Sequence, residues 1–164
     1  LDVPLKWGSA QMWQILESLW EVRPISRRTD FAPPLAHIAG KLKKTALIFL
    51  LSDFIQGENV LRSSELRNVA RKHDLVPVVI QDGWEEKLPA GRGFARLRDA
   101  ESGGVMLFNL SDGNRRLYRS MMSERRIALE RAFYTLGLDH LFLDTGKPYL
   151  DPVIAFFLGR KKRR

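Results

Sequence analysis

The chain contains no cysteine. That excludes disulfides and thiolate metal sites, and it fits a reducing compartment such as the cytoplasm. No apolar run approaches the roughly 20 residues that a membrane-spanning helix needs, and the first residues lack the basic-then-apolar order of a secretory signal. Histidine is scarce: His37, His73 and His140 stand far apart, on segments with helix, helix-end and strand-start character. Helix capping and solvation are the ordinary fates of such residues. A glycine-rich phosphate loop is missing too, because Gly91-Arg92-Gly93 lacks the further glycine spacing and the helix that would follow.

Positive charge, by contrast, is abundant. A formal charge of +8 and a pI of 10.1 would raise nucleic acid or an anionic membrane as partners. Five of those eight excess charges sit in Arg160–Arg164, which leaves +3 on everything before them. Such a run reads as a frayed, solvated basic tail beyond the last helix. Arg115, Arg116, Arg119, Arg125, Arg126 and Arg131 spread around a long helical pattern with Glu124 and Glu130 among them, which reads as a solvated face. Trp7, Trp13, Trp20 and Trp84 lack the basic, glycine-rich setting of base-stacking platforms and read as packing residues.

With 164 residues and 45% apolar content, the chain suits one domain with a sizeable core. Its organising stretch is Lys44-Thr45-Ala46-Leu47-Ile48-Phe49-Leu50-Leu51-Ser52-Asp53-Phe54, a short apolar run that stops at a serine and an aspartate. Such a run predicts a strand buried on both faces, as in parallel sheets flanked by helices. Ligands of these sheets gather at the carboxyl ends of the strands, so Asp53 is the first residue to question. The alternative is that Ser52-Asp53 only turns the chain.

The rest supports an α/β fold. Ser9 as N-cap, followed by Met12, Trp13, Leu16, Leu19 and Trp20, predicts an amphipathic helix over 10–22. Phe31, Leu35, Ile38 and Leu42 predict a second, in which Pro33 and Pro34 fall in the first turn. Gln56-Gly57-Glu58-Asn59 reads as a loop, and Leu61, Leu66, Val69 and Ala70 mark a third helix ending near Lys72-His73. Leu75–Ile80 predicts a second buried strand despite Pro77, followed by Asp82-Gly83, and strand, helix and strand make one βαβ unit. Residues 92–110 predict a β-hairpin laid against the main sheet's edge. A long helix over 112–136, a C-capping Gly137, a strand at 141–143 and a helix over 149–158 complete the chain. Asp82, Glu85 and Glu86 form an acidic cluster that reads as a solvated loop or as a site for a metal or a basic partner.

Several of these motifs together carry a resemblance. Thr29-Asp30-Phe31 before a helix, Leu50-Leu51-Ser52-Asp53-Phe54 ending a strand, Lys72-His73-Asp74 before the next, Asp82-Gly83-Trp84-Glu85 with Leu88-Pro89, and Asp99-Ala100-Glu101-Ser102-Gly103 occur in that order. The chain resembles the bacterial von Willebrand factor A-like family of unknown function, domain-of-unknown-function family fifty-eight, whose members are typically encoded beside MoxR-type AAA ATPases. Gly83 stands where that family usually has proline. The resemblance implies part of a doubly wound sheet and a rim that can hold Mg²⁺ in a metal-ion-dependent adhesion site. Thr29 matches that site's threonine and Asp53 its third-loop aspartate.

The principal D-x-S-x-S motif occurs nowhere in the sequence. Residues 1–159 therefore read as the C-terminal part of such a domain, without its first strand, followed by the basic tail 160–164. The expected function is a non-catalytic protein-interaction module, with Ser52, Asp53 and Asp82 as partner-binding rim residues and an AAA ATPase as partner. Loss of the first strand would leave the 45–53 strand with an open edge that invites self-association. Rival readings are a basic nucleic-acid-associated protein and a hydrolase built on Ser52, which lacks the glycines of a nucleophile elbow. Thr29 and Asp53 alone supply too few oxygen ligands for a hard cation. A calorimetric titration of the chain with Mg²⁺ or Mn²⁺ is thus expected to show no micromolar binding, and micromolar affinity would overturn that expectation.

Overall fold

A computed structural model describes residues 3–4, 7–23, 29–55, 57–83, 88, 92–98 and 103–163. The chain forms two compact units, Leu1–Thr29 with Asp99–Gly104, and Asp30–Arg98 with Val105–Arg164. The first carries helix α1 (Ser9–Glu21). Gly8, at φ 76, occupies the N-cap position expected for Ser9 and offers no side-chain bond. None of the helix's residues is buried.

The second unit contains the sheet. Helix α2 (Ala32–Lys41) starts where Asp30 Oδ1 accepts the Ala32 N–H at 3.0 Å, with proline in its first turn as expected. Strand β1 (Leu47–Ser52) follows. The segment expected as a loop is instead the start of a short helix, α3 (Gly57–Arg62). Burial of Val60 and Leu61 in the core holds that single turn and a half, where local propensity alone would not. Ser63 then caps α4 (Ser64–Lys72) by accepting the Leu66 N–H at 3.1 Å. Strand β2 (Asp74–Gln81) comes next, then β3 (Phe94–Arg98) and β4 (Val105–Asn109). Helix α5 (Asp112–Thr135) is capped by Ser111 and closed by Gly137 at φ 67. Strand β5 (Leu141–Asp144) and helix α6 (Leu150–Arg163) complete the unit. No helix among the described residues is long and apolar enough to cross a membrane.

Strands β1, β2 and β5 form a parallel sheet in the order β1-β2-β5, with Ile48 beside Leu75 and Val79 beside Phe142. The fold is α/β, with helices on both sides of this sheet. The hairpin β3-β4 pairs Ala95 with Phe108 and forms a separate antiparallel sheet. Its strands ladder only with each other, so it does not extend the main sheet as expected.

Pro77 lies in the central strand yet breaks no bond. The Asp74 N–H donates to Ala46 O, so even-numbered residues of β2 turn their backbone groups toward β1 and odd-numbered ones toward β5. Pro77 therefore faces β5, whose ladder begins one residue later, opposite Val78. The missing N–H falls just beyond the neighbouring strand's end.

One face of the sheet packs on the main core, where Leu66 and Val69 of α4, Leu129 and Phe133 of α5, and Leu35 of α2 meet Leu75 and Val79. The other face is covered by α6. That helix lies on the side of β2 where Val76 is fully buried, and Phe157 meets Phe49 of β1 edge-on at 6.0 Å. Leu47, Phe49 and Leu51 consequently remain 48%, 43% and 63% exposed. The expectation that β1 is buried on both faces fails for this reason: one of its faces is left half open, and among the described residues it pairs with a strand on one side only.

Residues 160–163, expected as a frayed tail, continue α6. Arg160, with an 11% exposed side chain, pairs with Asp74 at the start of β2 and with Asp139 at 2.8 Å just before β5. Its guanidinium also lies 5.5 Å from the Phe156 ring centroid. His73 is buried, and its Nδ1 accepts the Ala46 N–H at 3.3 Å, joining the entrances of β1 and β2. Removing the shared cation would leave two partly desolvated carboxylates without it. Arg160→Ala is expected to cost about 2 kcal/mol, whereas the exposed Lys161→Ala should stay within about 0.5 kcal/mol; denaturant unfolding of the two variants measures the contrast.

Candidate functional site

Strand β1 ends at Ser52, and three backbone bonds decide what the chain does next. The Ser52 hydroxyl oxygen accepts the Phe54 N–H at 3.0 Å, Asp53 Oδ1 accepts the Ile55 N–H at 3.0 Å, and Arg125 Nη2 donates to Asp53 O at 3.0 Å. Phe54 sits between them at φ 53, in the left-handed region that a bulky side chain rarely adopts. Its ring is 1% exposed, stacked on Phe31 at 5.8 Å and edge-on to Phe133 at 5.4 Å. Burying a phenylalanine contributes about 1.5–3 kcal/mol, which offsets a backbone strain of about 1–3 kcal/mol. Turning Phe54 inward turns the Asp53 side chain outward, onto the carboxyl-end rim of the sheet.

Gln81 ends β2 and Asp82 follows it on the same rim. Two consecutive arginines of α5 reach across. Arg125 holds Asp53 O, and Arg126 donates to Gln81 Oε1 at 3.3 Å, pairs with Glu130 at 3.2 Å and stacks its guanidinium 4.4 Å from the Phe142 ring centroid. Asp53, Gln81, Asp82, Arg125 and Arg126 line a cavity of ≈ 20 Å³, room for about one water. Arg126 and Gln81 also line a larger cleft of ≈ 450 Å³ at the ends of β2 and β5, together with Phe142, Asp144, Lys147 and Asp151. Asp144 accepts the Gly146 N–H at 2.8 Å and pairs with Lys147 at 2.7 Å.

The structure therefore brings Asp53 and Asp82 together around one small cavity. Ser52 is beside them in sequence, but its hydroxyl bonds to the Phe54 N–H of its own turn, with no histidine as hydrogen-bond partner. Thr29 belongs to the first unit. Trp84, Glu85 and Glu86 lie outside the described residues. Among the described residues, no three histidine, aspartate or glutamate side chains converge on a cation site. Asp53 offers one carboxylate, with one oxygen already bonded, which does not fit a firmly held divalent cation.

Sequence reasoning missed Arg125, Arg126 and Phe54. The arginines read as a solvated face because their targets, a main-chain carbonyl and an amide, carry no charge signature. Phe54 read only as part of a motif, although a large apolar residue just after a strand-ending Ser-Asp was the available sign of a turn folded back into the core.

A parallel sheet with helices on both sides and a polar rim at its carboxyl ends defines an α/β protein. Residues 1–128 match the family described as protein of unknown function DUF58, and the chain belongs to that family. The match runs from α1 into α5 and bears out the family resemblance. No curated protein and no solved structure matches the chain. The Asp53 carboxylate is exposed and accepts one bond, from the Ile55 N–H of its own turn. Asp53→Asn retains the oxygen that accepts the Ile55 N–H and should alter stability by less than about 0.5 kcal/mol, whereas Asp53→Ala should cost about 1 kcal/mol, as urea unfolding would measure.

Proposed function

We propose that the chain is a non-catalytic protein-interaction module that engages its partner at the carboxyl-end rim of the sheet. The observation that carries this reading is the pairing of an outward Asp53 with a mixed-charge cleft of ≈ 450 Å³ on one rim. The cleft falls within the ~300–1,000 Å³ range of ligand pockets, and its lining mixes Arg126 and Lys147 with Asp144 and Asp151. Balanced charge around an aromatic floor suits a polypeptide segment carrying both signs, more than it suits a polyanion.

The internal commitments of Arg125, Arg126 and Arg160 point the same way. Each is bonded within the chain and is withdrawn from any phosphate-binding stripe. The family resemblance supplies the partner class: a MoxR-type AAA ATPase, met by a von Willebrand factor A-like rim whose adhesion site is incomplete. In this contact Asp53 acts as a charged hydrogen-bond acceptor for a basic or amide group of the partner.

Binding of a purified MoxR-type ATPase from the same organism should be measured by titration calorimetry for the native chain and for Asp53→Asn. The substitution is expected to weaken binding at least tenfold with the fold intact. Equal affinity of the two proteins, or no binding by either, would overturn the proposal.

A further inference from the structure

Gln81 and Arg126 line both the small cavity beside Asp53 and the larger cleft at the ends of β2 and β5. Their own hydrogen bonds leave a specific remainder. A guanidinium carries five N–H donors. In Arg126, Nε serves Glu130 Oε1 at 3.2 Å and an N–H of Nη1 serves Gln81 Oε1 at 3.3 Å. Both N–H groups of Nη2 remain without a partner among the described residues. The bond to Oε1 also fixes the sense of the Gln81 amide. Its carbonyl is spent on the guanidinium, and its NH₂ group keeps two donors without a partner among the described residues.

Arg126 is held in place before anything binds. Its guanidinium lies 4.4 Å from the Phe142 ring centroid, and Glu130, one turn further along α5, grips its Nε. A ligand therefore meets a fixed fork and does not have to immobilise a flexible side chain. Gln81 is fixed by the ladder at the end of β2, where its main-chain carbonyl accepts the Thr145 N–H at 2.9 Å. Two prearranged side chains, one cationic and one neutral, thus offer two N–H groups each, which matches the two oxygens of one carboxylate. A dianionic phosphate fits less well, because Glu130 already shares the guanidinium and Asp144 and Asp151 line the same cleft.

We propose that Gln81 and Arg126 bind a carboxylate of the partner segment, one oxygen to each side chain. This rests on the reading of the rim as a partner surface and names the group that surface takes. Leu143, Pro148 and Pro152 line the cleft around the pair and suit apolar residues flanking the acid. Asp151, in the first turn of α6, has no partner among the described residues and supplies an acceptor for a main-chain N–H or a basic side chain of the same segment. A peptide carries such donors beside every acidic residue, and a free carboxylate does not. The occupant is an acidic residue or a chain end within a mainly apolar stretch of polypeptide. Strand β5 lies on the opposite side of β2 from β1, so a further strand laid against the outer edge of β1 does not take the place of this ligand.

Acetylated peptides read the pair directly, through the ¹H–¹⁵N signals of the Gln81 side-chain amide and the Arg126 Nε–H. An amidated leucine–glutamate–leucine peptide carries the acid on a side chain, and leucine–glycine–leucine with a free carboxyl carries it at the chain end. An amidated leucine–glutamine–leucine peptide carries none. At least one acidic peptide should bind at least tenfold more tightly than the glutamine peptide, and the tighter of the two identifies the source of the carboxylate. Gln81→Glu keeps an oxygen for the Arg126 N–H but replaces the donors with an anion, and it should weaken that binding at least tenfold while circular dichroism stays unchanged. Arg126→Gln should weaken it as much. Equal affinity for acidic and glutamine peptides, no saturable shift with any peptide, or undiminished binding by either variant would each overturn the proposal. No ATPase enters this experiment, so its failure leaves the ATPase titration untouched, and failure of that titration leaves the peptide result standing.

Discussion

The inward turn of Phe54 is the constraint on which the rim depends. One aromatic ring, wedged between Phe31 from the approach to α2 and Phe133 from α5, ties the end of β1 to two helices at once. A left-handed backbone at a phenylalanine persists only where its surroundings over-determine it. Here they do: the ring is enclosed, the flanking amides are bonded to Ser52 and Asp53, and Arg125 fastens the intervening carbonyl. The carboxylate of Asp53 owes its outward position to packing behind it, so the site's geometry is inherited from the core.

The sheet is built asymmetrically around this point. On one side, α2, α4 and α5 create a continuous core. On the other, α6 lies over β2 and β5 and is fastened by Arg160, leaving β1 half open. A shared cation between Asp74 and Asp139 is an economical fastener, since those two aspartates mark the entrances of adjacent parallel strands. Fixing one helix turn to both sets the helix across the sheet and thereby decides which strand it fails to cover.

Much of this was legible in the residues. The apolar runs gave β1, β2 and β5 because strands short of polar interruption announce themselves by composition, and Gly137 marked a helix end by capping chemistry. Asp53 was found because strand ends are where such sheets bind. Long-range facts were not legible. Whether Leu47, Phe49 and Leu51 would be covered depends on where α6 lands, roughly a hundred residues later, and the period of two in a strand says nothing about that. The short helix α3 was hidden because tertiary burial of Val60 and Leu61 sustains it. Arg160 looked like tail because its acidic partners, Asp74 and Asp139, are distant in sequence.

The Arg160–Asp74 pair spans 86 residues, and that separation has a consequence for the order of events during synthesis. Until α6 has emerged, the second face of β2 has nothing over it, and Val76 and Val78 are wetted. A nascent chain passing through that interval presents an uncovered apolar sheet, the kind of surface on which chaperones act and aggregates begin. Docking of α6 is thus the step that covers Val76 and Val78, and the time a ribosome takes to deliver that helix sets how long they stay wetted.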